Sequence, residues 1–181
     1  MKKYELEIEQ DCDPMNPRTE WDNLGTMICF HKGYNLGDKT EYKSSDYESW
    51  DELKNAIIEN EGEVIILPLY LYDHSGITIS TSPFSCRWDS GQIGYIFVSK
   101  DKIKKEGMDE TKVEEYLKGE VTTYDQYLTG DVYRYAIYEI ETCSLGHTHK
   151  NYVEGCGGYY GEDGCREEAE SVLRHLEKEV V

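Results

Sequence analysis

A basic patch is the first thing missing from this chain. The densest cationic cluster, Lys102, Lys104 and Lys105, is followed at once by Glu106, Asp109 and Glu110. Across 181 residues, 37 Asp and Glu stand against 19 Lys and Arg, a formal charge of −18, so the chain repels phosphate backbones and no direct nucleic-acid contact is expected. No apolar run approaches the length of a membrane span, and the charged, alternating residues 1–9 do not read as a signal peptide. The expectation is a cytoplasmic protein with no membrane partner. Phosphate-cradling loops are missing as well. Gly155, Gly157, Gly158, Gly161 and Gly164 fit neither a P-loop nor a dinucleotide fingerprint, and no cofactor is expected. There are no internal repeats or low-complexity tracts.

Aromatics are abundant: sixteen Tyr, three Trp and three Phe argue against disorder despite the charge. The length suits one core, and the expectation is a single α+β domain over residues 1–181, with a mixed or antiparallel sheet, several short helices and a C-terminal amphipathic helix. Residues 3–10 alternate Tyr4, Leu6 and Ile8 with Glu5, Glu7 and Glu9, a strand with one apolar face. Residues 11–25 read as an ordered acidic loop, and residues 26–31 as a short strand. Ser49 and Glu52 form a capping box before Trp50, Leu53, Ala56 and Ile57, which predicts a helix ending near Asn60. Residues 63–73 are the best core strand, with Pro68 marking an edge or bulge, and residues 77–80 pair back on it. Residues 94–99 form a further strand, and Ser99 caps a short helix. Gly119 and Gly130 predict two helical pieces, 109–118 and 120–128. Residues 132–141 read as a strand and 142–162 as a Gly/Cys/His-rich loop. A last helix over 163–180 aligns Ala169, Val172, Leu173, Leu176 and Val180.

Three sets of residues carry candidate chemistry. Cys86, His74, Asp73 and Asp89 supply a nucleophile, a base and orienting acids for a Cys/His-dependent hydrolase acting on a defence component or signalling molecule. Triads assemble in space, however, and no G-x-S-x-G signature is present, so a Ser/Thr-rich loop with Cys86 as a small buried hydrophobe competes with that reading. Cys143, His147, His149 and Cys156, with Cys165 beyond, offer thiolate and imidazole for a zinc-stabilised interaction module, without the C-x2-C knuckle that marks a strong zinc site. Asp11, Asp13 and Asp22 offer hard oxygens but lack the calcium-loop pattern. With no secretory signal, the six cysteines are expected mostly as free thiols.

The third set is the acidic, Tyr-rich surface. Asp46, Tyr47, Glu48, Asp51, Glu52, Glu114, Glu115, Tyr116, Tyr124 and Asp125 place carboxylates beside amphipathic rings. Such a surface can act as a DNA mimic or dock on an Arg-rich groove of a basic host protein. The competing reading is an ordinary solvated face that keeps the chain soluble. Self-association is left open.

Five motifs carry a resemblance: Pro17-Arg18-Thr19-Glu20-Trp21-Asp22-Asn23-Leu24-Gly25-Thr26-Met27, Tyr34-Asn35-Leu36-Gly37-Asp38, Tyr72-Asp73-His74-Ser75-Gly76, Cys86-Arg87-Trp88-Asp89-Ser90-Gly91-Gln92 and Tyr124-Asp125-Gln126-Tyr127-Leu128-Thr129-Gly130. Over residues 1–161 the chain resembles a family of small proteins from bacteriophages and mobile elements. It departs from that family across residues 143–160, where the family carries a shorter, Trp-containing stretch. The resemblance implies an anti-defence protein and, with the charge, a stoichiometric inhibitor of the anti-CRISPR type that blocks Cas9, rather than an enzyme.

Overall fold

The computed structural model describes residues 3–179, so Val180 of the expected last helix lies outside the described residues. The chain is α+β, with antiparallel strands throughout and a C-terminal helix, and its contacts group into two compact units.

The larger unit, residues 16–129, is built on a sheet of order β2-β5-β3-β4, with β2 at Thr26–Cys29, β3 at Val64–Asp73, β4 at Ile77–Ser80 and β5 at Ser90–Ser99. Strand β5 is apolar almost without interruption because both of its faces are covered. Ile96 and Val98 point into a core shared with Ile103 of α3 (Lys100–Lys105) and with Val113, Leu117, Val121 and Tyr124 of α4 (Glu110–Thr129). Tyr95 and Phe97 point the other way, onto Leu53 and Ile57 of α2 (Trp50–Glu61). The sheet is thus the middle of three layers. Pro68 behaves as expected: β4 reaches only Tyr70–Asp73, so the proline lies where β3 is paired on one side alone, next to a register shift at Leu69/Tyr70.

Helix α2 is capped as the sequence predicts. Ser49 Oγ accepts the Glu52 N–H at 3.2 Å, and Glu52 Oε2 accepts the Glu48 N–H at 2.7 Å. The loop 11–25 contains one short helix, α1 (Pro17–Glu20), capped by Asn16. The two expected pieces at 109–128 are one continuous helix. Gly119 costs about 1 kcal/mol as a helical residue, and the unbroken stripe Val113, Leu117, Val121, Tyr124 against the sheet outweighs it.

The smaller unit combines residues 3–15 with 130–179. Here β1 (Lys3–Gln10), β6 (Val132–Thr142) and β7 (Thr148–Tyr160) form a sheet of order β1-β6-β7. Helix α5 (Glu162–Glu179) lays Cys165, Ala169, Val172, Leu173 and Leu176 across Tyr4, Leu6, Ile8, Tyr135 and Ile137. The expected loop at 142–162 is therefore corrected: most of it is β7, paired along the whole of β6 with two register shifts. Its polar, glycine-rich sequence hides a strand because most of β7 faces solvent and because glycine is sterically required. A Cβ on Gly155 would lie 2.5 Å from the Tyr135 carbonyl oxygen.

Candidate functional site

One end of the larger unit's sheet gathers the loops after β2, β3 and β4, and with them the proposed catalytic set. Asp89 is its hub. Its Oδ2 lies 3.5 Å from His74 Nδ1 and accepts the Cys86 thiol at 3.5 Å, and its backbone carbonyl accepts the Asp73 N–H at 2.8 Å. The Asp73 carboxylate accepts the Tyr34 hydroxyl at 3.3 Å, and its charge holds that phenol above its ordinary range. These residues meet in the structure, in an order that differs from a nucleophile–base–acid relay. The carboxylate stands between thiol and imidazole, so in this arrangement His74 does not take the Cys86 proton. Both members of the His74–Asp89 pair are well exposed, which makes the contact weak. Trp88 projects from the same loop, 95% exposed, beside a shallow cavity of about 510 Å³ that also touches Phe30, His31 and Lys32.

The Cys/His set is not brought together. Cys143 donates its N–H to the His147 carbonyl at the tip of the β6–β7 hairpin, whereas Cys156 pairs with Tyr135 far along β7. Six strand residues lie between His149 and Cys156, roughly 20 Å of extended chain. Among the described residues, no three His, Cys, Asp or Glu side chains converge to hold a metal ion, and all six cysteines are free. Asp11 is occupied otherwise: its carboxylate accepts the Asp13 and Gly158 N–H groups at 3.1 and 3.0 Å.

The acidic surface divides into residues that are neutralised and residues that are not. On β1, Glu5 and Glu7 hold Lys150 at 2.5 Å each, and Glu9 pairs with Arg134 at 2.6 Å. On α4, Glu114 pairs with Lys118 at 2.6 Å, leaving Glu115 and Tyr116 exposed. Tyr124 and Asp125 leave the candidate surface. Tyr124 is 2% exposed, and its hydroxyl accepts the Gly37 N–H. Asp125 accepts the Thr78 hydroxyl and the Ile79 N–H at 2.6 and 2.7 Å, fixing α4 to β4.

The region of α2 combines unpaired acids with aromatic rings. Glu41, Asp46, Glu48, Asp51, Glu52, Glu59 and Glu61 are all exposed, and none of them forms an ion pair among the described residues. Asp51 and Glu52 suit the helix N-terminus. Glu59 and Glu61 sit in the last turn, where no basic residue offsets them and the helix dipole opposes them. Beneath this charge lie half-buried rings: Phe30 is near-parallel to Tyr47 and Trp50, at centroid distances of 6.5 and 6.2 Å, and Trp50 meets Tyr95 edge-on. Burial first, and the neighbouring Tyr42 and Asp46 after it, push the Tyr47 phenol up. A cavity of about 660 Å³ opens beside these rings, lined by Phe30, Tyr47 and Trp50 with Glu48, Ser44, Ser49, His31 and Lys32.

Sequence reasoning missed a buried ion triad. The Arg18 side chain is 1% exposed, and its guanidinium donates to both Asp38 oxygens at 2.9 and 2.6 Å, to Glu120 at 2.8 Å and to the Gly25 carbonyl at 2.8 Å. Burial works hardest against its charge, yet Asp38 and then Glu120 hold it above its ordinary value. The only sequence signal was the position of Arg18, Gly25, Gly37 and Asp38 inside the two long N-terminal motifs, which the structure makes architectural. Comparison with protein-family models, with curated proteins and with solved structures finds no match to this chain.

Proposed function

We propose that this chain is a stoichiometric protein inhibitor, an anti-defence protein of the phage and mobile-element kind, whose acidic α2 face docks on a basic, nucleic-acid-handling host effector. The observation that supports the reading is the unpaired run of exposed carboxylates over residues 41–61, kept even at the end of α2 where it weakens the helix. Some acids elsewhere, as at Lys150 between Glu5 and Glu7, are neutralised internally. Uncompensated carboxylates speed encounter with a cationic groove and repel competing nucleic acid, while partly buried Tyr and Trp give the short-range contact that charge alone does not supply. Cas9, whose guide and target channel is lined by Arg and Lys, is the effector to which the family resemblance points. The test is a cleavage titration with guide-loaded Cas9. Inhibition is expected to complete near one chain per effector and to be lost on Glu48→Lys/Asp51→Lys; turnover at far below one equivalent, or inhibition untouched by the charge reversal, overturns the reading.

A further inference from the structure

The hollow under the acidic face has a chemistry of its own. It is lined by Phe30, Tyr47, Trp50 and the buried Leu53, and its volume of about 660 Å³ is ample for one long side chain. Glu48, exposed and with no ion pair among the described residues, lines it beside Ser44 and Ser49. Ring faces attract a cation, and a carboxylate accepts hydrogen bonds from one. Of the two cationic side chains, arginine suits both elements, because a planar guanidinium stacks on rings and pairs with a carboxylate through parallel N–H groups.

From this geometry we infer that the Phe30–Tyr47–Trp50 hollow is a receptor for a single arginine side chain presented by the basic partner, and is the anchor of the interface. The inference rests on the docking reading above and adds the site and the residue type it takes. Hot spots at protein interfaces are sheltered pockets filled by one large or cationic side chain within a ring of weaker contacts, and the surrounding unpaired carboxylates would form that ring. Lys32 also lines the hollow and opposes the incoming charge. The same geometry therefore fixes a sign: removing Lys32 strengthens the site.

The test needs no partner. The ¹⁵N-labelled chain is titrated with a blocked Gly-Arg-Gly peptide and with its lysine and citrulline counterparts. Saturable amide shifts are expected to cluster at Phe30, Tyr47, Glu48 and Trp50, with citrulline binding about tenfold more weakly because its ureido group carries no charge. Glu48→Gln is expected to weaken the arginine peptide several-fold and Lys32→Ala to tighten it, both being exposed changes that spare the core. Equal binding of arginine and citrulline, shifts scattered over the surface, or no response to Glu48→Gln and Lys32→Ala overturns the assignment. Arginine binding in the hollow without Cas9 inhibition leaves the site standing and refutes only the function proposed for it.

Discussion

Arg18→Met removes one cation from a site that holds two carboxylates in close quarters. Wild-type Arg18 satisfies Asp38 through two hydrogen bonds, Glu120 through one and the Gly25 carbonyl through another. Once it is gone, Asp38 keeps the Met27 N–H, and Glu120 keeps the N–H groups of Leu24 and Gly25. Neither acid keeps a counter-charge, and their side chains are only 21% and 17% exposed. Breaking a buried pair by removing one partner costs about 3–5 kcal/mol, and the surviving backbone donors place this site near the lower end, at ~3 kcal/mol. Urea unfolding reads this as a lower midpoint at unchanged slope. Arg18→Lys recovers only part of the loss, because one ammonium cannot span both acids and the Gly25 carbonyl as the fork does. Arg18→Met combined with Asp38→Asn and Glu120→Gln is expected to be more stable than Arg18→Met alone, since the stranded charges are gone. A loss below about 1 kcal/mol for Arg18→Met, or a triple variant worse than the single one, refutes the claim that this triad ties the motif loops to α4.

Three more outcomes follow from the geometry. Gly94→Ala places a Cβ 1.8 Å from the Ile28 carbonyl oxygen, backbone against backbone, so it should abolish cooperative unfolding of the larger unit, as seen in near-ultraviolet circular dichroism. Burial, and then the Asp38 charge, push the Cys29 thiol from its ordinary 9.0 up to about 12. The unfolded thiol thus ionises first, and this contribution to stability is full below about pH 9 and lost as pH rises toward 12; Cys29→Ala should flatten that decline, and alkylation should reach exposed Cys12 and Cys156 before Cys29 and Cys165. Glu61→Lys relieves the clash with the α2 dipole, so the thermal midpoint should rise while effector binding weakens; a fall in both would place Glu61 in the fold rather than on the docking face.

What the sequence made legible was whatever has a short period or a local signature. β1 was visible in its alternation, and α2 in its capping box and apolar stripe. Pro68 announced an incompletely paired stretch of β3. Less legible were features whose cause lies far along the chain. Gly119 looks like a stop signal unless the sheet that holds α4 straight is known. β7 looks like a loop because its reason for being extended is the neighbouring β6. Tyr124 and Asp125 share the composition of a docking surface, yet their partners, Gly37 and Thr78 with Ile79, lie 87, 47 and 46 residues away. The cysteine set shows the same limit from the other side: residue type brought Cys86, His74 and Asp89 under suspicion, and only the fold reveals that the carboxylate contacts both thiol and imidazole. The acidity itself was plain in the sequence. Which acids are already neutralised was not, nor was the cluster of Phe30, Tyr47 and Trp50 beside the α2 carboxylates.

We propose that charge on the α2 face drives docking on a basic effector. The most direct measurement is the affinity of the chain for purified Cas9 as a function of salt, by calorimetry, for the wild type and for Glu48→Lys/Asp51→Lys. The account predicts one-to-one binding whose logarithmic affinity falls steeply with the logarithm of salt, and a charge-reversed variant that is both weaker and less salt-dependent. No binding at low salt, or an affinity indifferent to salt and to the charge reversal, contradicts it.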